Sequence, residues 1–239
     1  MEPLVKTILE AHGGLDHWKT FSRLSARLVQ GGALWALKGK AGVLDETTVT
    51  VDLRAEHASH FPFGDAGRKS SFTPGKVALL TPEGAEIEAL PDPRASFAGH
   101  TLETPWTDLQ LAYFAGCAMW TYLNTPFLLA WPGVEAREIE PWAENGETWR
   151  RLEVTFPASI ATHSTRQVLY VGDDGLLRRH DYDVEISGGT PGAHYISGYT
   201  DVQGVKIPTR RRIFPRGPDG QSMAEPLVVS IDLSDITLA

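Results

Sequence analysis

Arg178, His180 and Tyr182 are spaced two apart in the run Leu176–Ile186, so an extended chain turns all three toward one face. Leu176, Val184 and Ile186 share that face, which would set a guanidinium and an imidazole among apolar side chains. The chemistry open to such a set is proton transfer on a small apolar acid. Arg178 would hold the anion and His180 would act as base, with Tyr182 or Tyr199 assisting. Arg150 has the parity of Leu152, Val154 and Phe156. Buried alone, such groups cost several kcal/mol. They need an internal carboxylate, a rim position or an anionic head group; otherwise a bulge or an early strand end leaves them in solvent.

The other constellations point to less. His57 and His60 flank a short extended stretch beside Glu56, but residues three apart on a strand face opposite ways and do not converge on one ion. His12 and His17 lie five apart across Gly13-Gly14, off the spacing of helical ligands. No metal or cofactor is expected. His163, Ser164 and Ser159 lack a Gly-x-Ser-x-Gly elbow, so no catalytic residue is assigned. Gly31-Gly32 and Gly188-Gly189 precede strands rather than helices and do not make a phosphate loop. Cys117, the single cysteine, reads as a small buried apolar side chain. In the triplet Arg210–Arg212, alternation puts Arg210 and Arg212 on one face and Arg211 on the other. A solvated face with ion pairs to Asp181 or Asp183 is the default reading.

Short strands must position these residues. Leu24, Ala26 and Leu28 alternate with polar residues, as do Val49, Val51 and Leu53, and later Leu152, Val154 and Phe156. Further strands are predicted around 58–63, 67–73, 76–81 and 85–90, and near 194–202, 206–214 and 226–233. Asp173-Asp174-Gly175 marks a hairpin turn, and a strand resumes at Leu34–Leu37 after Gly31-Gly32. At least ten short strands mean an antiparallel all-β barrel or sandwich. Pro3 opens a short N-terminal helix that Gly13-Gly14 stops, and Trp18 and Phe21 follow into the core. One stretch breaks the β pattern: 26 residues between Asp108 and Glu135 carry no charge. Asp108 is read as the N-cap of a helix that ends near Leu123, before Pro126. Apolar residues all round it require burial on every side. The run is long enough to span a membrane, but Asn124 and Pro126 split it, and no stable transmembrane span is expected.

The chain has 239 residues, 22 Lys+Arg against 30 Asp+Glu, and a net charge of −8. The acidic balance opposes nucleic-acid binding, which needs a surplus of basic groups. One thiol excludes a disulfide scaffold. No domain linker appears, so 1–239 reads as one domain. The first residues lack the basic start and apolar run of an export signal, which sets the expected compartment as the cytoplasm, or the periplasm if the chain has been trimmed.

Three stretches carry a resemblance: AHGGLDHW (Ala11–Trp18) leading into a strand, the turn DDGLLRRHDYDVE (Asp173–Glu185), and the hairpin GYTDVQGVKIPTRRRIF (Gly198–Phe214). Together with the order of strands, they resemble the bacterial lipoprotein-carrier (LolA/LolB-like) superfamily. The resemblance implies a strongly curved, incompletely closed antiparallel barrel covered or plugged by helices, enclosing an apolar cavity for acyl chains. Non-catalytic binding of a lipid or other apolar small molecule is the function expected. The lining would draw on Trp35, Phe61, Phe63, Trp106, Tyr113, Phe114, Trp120, Phe127 and Trp131, with Arg150, Arg178, His180 and Tyr182 as its polar groups. Two alternatives stand beside it: an enzyme using Arg178 and His180, or a protein-interaction module that lays the aromatic 106–131 segment on a partner.

Overall fold

The computed structural model describes residues 2–239. Helix α1 (Pro3–Ala11) starts on a proline, whose missing N–H needs no partner in the first turn, and buries Leu4, Val5, Ile8 and Leu9. Gly13 and Gly14, at φ 115° and 88°, end it in a conformation closed to other residues. Helix α2 (Leu15–Trp18) then stacks Trp18 on Phe127 at 4.3 Å.

Thirteen strands follow: β1 (Arg23–Gly31), β2 (Glu46–Asp52), β3 (Ala58–Phe61), β4 (Lys69–Thr73), β5 (Lys76–Leu80), β6 (Glu86–Pro91), β7 (Glu135–Glu144), β8 (Glu147–Thr155), β9 (Arg166–Val171), β10 (Leu177–Val184), β11 (Thr190–Val202), β12 (Val205–Pro215) and β13 (Val229–Leu238). They form one sheet in the order β6-β5-β4-β3-β2-β1-β13-β12-β11-β10-β9-β8-β7. Every neighbouring pair is antiparallel, and the chain's first and last strands meet in the middle of the sheet. The edges, β6 and β7, are consecutive in sequence yet unpaired with each other, so the curved sheet does not close. The connection between them carries helix α4 (Asp108–Asn124).

Helix α4 is buried at every position from Leu109 to Asn124, as an uncharged sequence requires. It packs against β2 to β5, with Gly116 directly over the Phe72 ring. Its cap is Thr107 rather than the expected Asp108: the Thr107 hydroxyl accepts from Gln110 N, and the Gln110 side chain accepts from Thr107 N. Asp108 instead pairs with Lys40 at 2.6 Å and Arg68 at 3.1 Å. Among the described residues no helix is long and apolar enough to cross a membrane.

The strand predicted at Leu34–Leu37 is instead helix α3 (Ala33–Leu37). Gly32, at φ 109°, breaks the extended chain, and Ala-Leu-Trp-Ala-Leu consists mostly of strong helix formers. Strand β7 escaped prediction because it lies at an edge and its alternation is of charges, not apolar residues.

Candidate functional site

Between α3, α4 and the concave side of β10 to β13 lies a cavity of about 240 Å³. Its walls are almost wholly apolar, with Leu34 and Trp35 from α3, Phe114, Ala118 and Met119 from α4, and Ile213 from β12. Trp106 and Leu102 form a rim that Lys38 holds in place. The buried Lys38 ammonium donates to the carbonyls of Thr101, Leu102 and Thr104 at 2.6–3.2 Å. Exposed lining residues Leu37, Pro191 and Pro226 mark where the cavity meets solvent.

One patch of the wall is polar. Tyr122, Tyr182 and His163 line the cavity and are hydrogen-bonded together: Tyr122 Oη lies 2.5 Å from Tyr182 Oη and 2.9 Å from His163 Nε2. Behind them, Tyr182 Oη is 3.4 Å from His194 Nδ1, and His194 Nε2 accepts from Arg211 Nη1 at 3.3 Å. Arg211 Nη2 also donates to Tyr122 O at 2.9 Å, and its guanidinium lies over the Tyr122 ring. Burial pushes His163 down to about 3 with help from Arg94, and pushes His194 well below its ordinary range with help from Arg211. Both rings are therefore neutral at neutral pH. Burial likewise holds the Tyr122 and Tyr182 hydroxyls protonated. Desolvation also opposes the charge on Arg211, but a guanidinium keeps its proton in proteins. The result is a permanent cation behind a set of neutral hydrogen-bonding groups.

Of the expected lining residues, Trp35, Trp106, Phe114 and Tyr182 meet at this cavity. Phe61 is 41% exposed, and Phe63 is fully buried in the core. Tyr113 packs edge-on to Phe72 on the other side of α4. The Trp120 indole donates to the carbonyls of Asp52 and Ala55, and Trp131 abuts it edge-on. Phe127 is occupied by Trp18. Arg150 is exposed in a bidentate pair with Glu138 at 2.7 Å. Arg178 pairs with Asp174 at 2.7 Å at the β9–β10 turn. A register shift between Leu177 and Arg179 explains this, since it breaks the parity that placed Arg178 on the inner face. His180 does point inward, but to a separate void of about 10 Å³, where its Nε2 meets Gln167 Oε1 at 2.6 Å. Arg178 and His180 thus share no site, and the proton-transfer pair does not assemble. The aromatic 106–131 segment is mostly interior and offers no broad face to a partner protein. Among the described residues no three His, Cys, Asp or Glu side chains converge as a metal site requires.

Tyr122, Ala118, His163 and Arg211 were absent from the expected set. For the first two a signal existed: Phe114, Ala118 and Tyr122 recur every four residues and share a helix face. His163 lies on a loop and no periodicity could have placed it.

No family model and no curated protein matches the chain. Solved structures do. A LolA superfamily protein from Nitrosomonas europaea is 14% identical, with 98% of this chain and 93% of that chain covered at a TM-score of 0.54. An outer membrane lipoprotein-sorting protein domain from Vibrio parahaemolyticus follows at 12% identity, 95% and 93% coverage and TM-score 0.49. A DUF1329 family protein from Desulfovibrio piger is 15% identical, with 100% and 94% covered and TM-score 0.47. The first of these shows the fold: an open, curved, LolA-like sheet around a helix.

Proposed function

With a LolA-like fold and an apolar cavity beneath α4, we propose that this protein binds and carries an apolar small molecule without transforming it. The observation that carries this reading is the cavity itself, lined by apolar side chains with one small polar patch, as ligand sites are. At about 240 Å³ it falls below the roughly 300–1,000 Å³ of sites for drug-sized ligands. Its size therefore favours a single short chain or ring over a lipid anchor with several acyl chains. The fold likeness fits the periplasm better than the cytoplasm expected from the first residues.

The test is to purify the protein under native conditions, extract it with organic solvent and analyse the extract by mass spectrometry. One apolar compound near equimolar amount is expected from the wild type, and none from Ala118→Trp, which fills the cavity. Empty extracts, together with failure to take up a neutral fluorescent probe, would contradict the reading.

A further inference from the structure

Arg211 is buried with no carboxylate against it: among the described residues its contacts are to His194, Tyr122 O and the ring of neutral Tyr122, and its Nε has no partner. An uncompensated cation in such a place costs several kcal/mol, and a low local dielectric leaves its field unscreened.

The hydrogen-bond chain transmits that field to the cavity in one direction. A guanidinium only donates, so His194 Nε2 accepts and the ring's proton sits on Nδ1, facing Tyr182 Oη. Tyr182 Oη, receiving at that lone pair, is free to donate to Tyr122 Oη, which in turn donates to His163 Nε2. Each donor along Arg211–His194–Tyr182–Tyr122–His163 is polarised by the one before it. An arriving acceptor atom can take the Tyr122 hydroxyl proton when neutral His163 adopts its other tautomer and donates from Nε2 to Tyr122 Oη, so no group of the chain is left unmet. An unpartnered donor, the Gln30 amide, lies on the cavity wall itself. The walls elsewhere ask for hydrocarbon.

We propose that the ligand is a medium-chain monocarboxylate, its carboxylate seated against the Tyr122 and Tyr182 hydroxyls and its aliphatic tail running along Trp35, Leu34 and Ala118. This rests on the reading of the cavity as a binding site for an apolar molecule. It adds that the missing counter-charge of Arg211 is supplied by the ligand.

The test uses the full chain at neutral pH, loaded with the neutral probe N-phenyl-1-naphthylamine. Decanoate, methyl decanoate and 1-decanol are then titrated as displacers. A charge-assisted hydrogen bond exceeds a neutral one by enough to make decanoate about tenfold tighter than its methyl ester. In Arg211→Met the ratio of the two affinities should collapse to within about twofold. Tyr182→Phe, which removes only a hydroxyl, should lower the same ratio, and it decides the matter if Arg211→Met does not fold by circular dichroism. Methyl decanoate binding as tightly as decanoate to the wild type overturns the carboxylate while leaving the cavity reading in place. So does an undiminished ratio in a folded variant. A probe that does not bind the wild type at all overturns both.

Discussion

At the scale of single residues, the interior holds several ionisable groups kept neutral by burial. His12 and His60 are pushed down to about 4, and His163 and His180 to about 3, by desolvation first. Unfolded, these rings bind protons near 6.5, so the unfolded chain takes up more protons on acidification and stability falls as pH drops below that value. Glu56 acts oppositely. Burial raises its carboxyl to about 8; Oε2 accepts from Ala161 N, while Oε1 has no partner. The folded chain keeps that proton where the unfolded chain has lost it, so its stabilising contribution is lost as pH rises from about 4.5 to 8, against the histidine gain below about 7. Urea midpoints should therefore peak at about pH 7, just above the unfolded histidine value, where the fading gain from four histidines equals the loss from Glu56. Glu56→Gln should remove the alkaline fall, whose slope is at most about 1.4 kcal/mol per pH unit, and keep the acid one. An equal alkaline fall in the variant would assign it elsewhere. Alternation in the sequence did separate Arg211 from Arg210 and Arg212, which both reach Asp232 in solvent. It did not show that Arg211 is the buried one, because that depends on which face of β12 the helix covers. The bulge that releases Arg178 was equally invisible, since a register shift is a property of the pair of strands.

At the scale of elements, α4 determines the shape of the site. The uncharged run made the helix legible, and its length was right within a residue at each end. Its cap was misplaced by one residue because Thr107 and Asp108 are both good caps, and only the Gln110 side chain distinguishes them. Thr107→Ala should cost about 1 kcal/mol in urea unfolding, whereas a surface alanine substitution should cost almost nothing. Gly116 poses a sharper test. Glycine within a helix is ordinarily worse than alanine by about 1 kcal/mol, so Gly116→Ala would stabilise a free helix. Here a Cβ would collide with the Phe72 ring across the interface. Overpacking at about 1–3 kcal/mol exceeds that gain, and the variant should be less stable. A higher melting temperature in Gly116→Ala would mean that α4 does not sit this tightly on β4. Helix α3 was misread as a strand because five residues after a glycine pair are too few to show a period.

At the scale of the whole molecule, the sheet is a thirteen-strand meander left open between β6 and β7, with the intervening chain folded inside as α4. Period-two alternation made most of the strands legible, and the resemblance supplied the curved, unclosed form. The cavity's position was not legible. It arises where α4 covers β2 to β5 more closely than it covers β10 to β13, and no local pattern records that asymmetry. The unpaired edges carry charge, with Glu86 and Glu88 on β6 and Glu135, Arg137 and Glu138 on β7, which discourages pairing with another chain. The central claim is that the space under α4 receives a ligand. Its most direct measurement is titration of solvent-extracted protein with N-phenyl-1-naphthylamine, reading Trp35 and Trp106 emission alongside the probe. Saturation at one probe per chain in the wild type, with affinity lowered at least about tenfold in folded Ala118→Trp, is predicted. Non-saturating uptake by the wild type, or equal affinity in the filled variant, would contradict it.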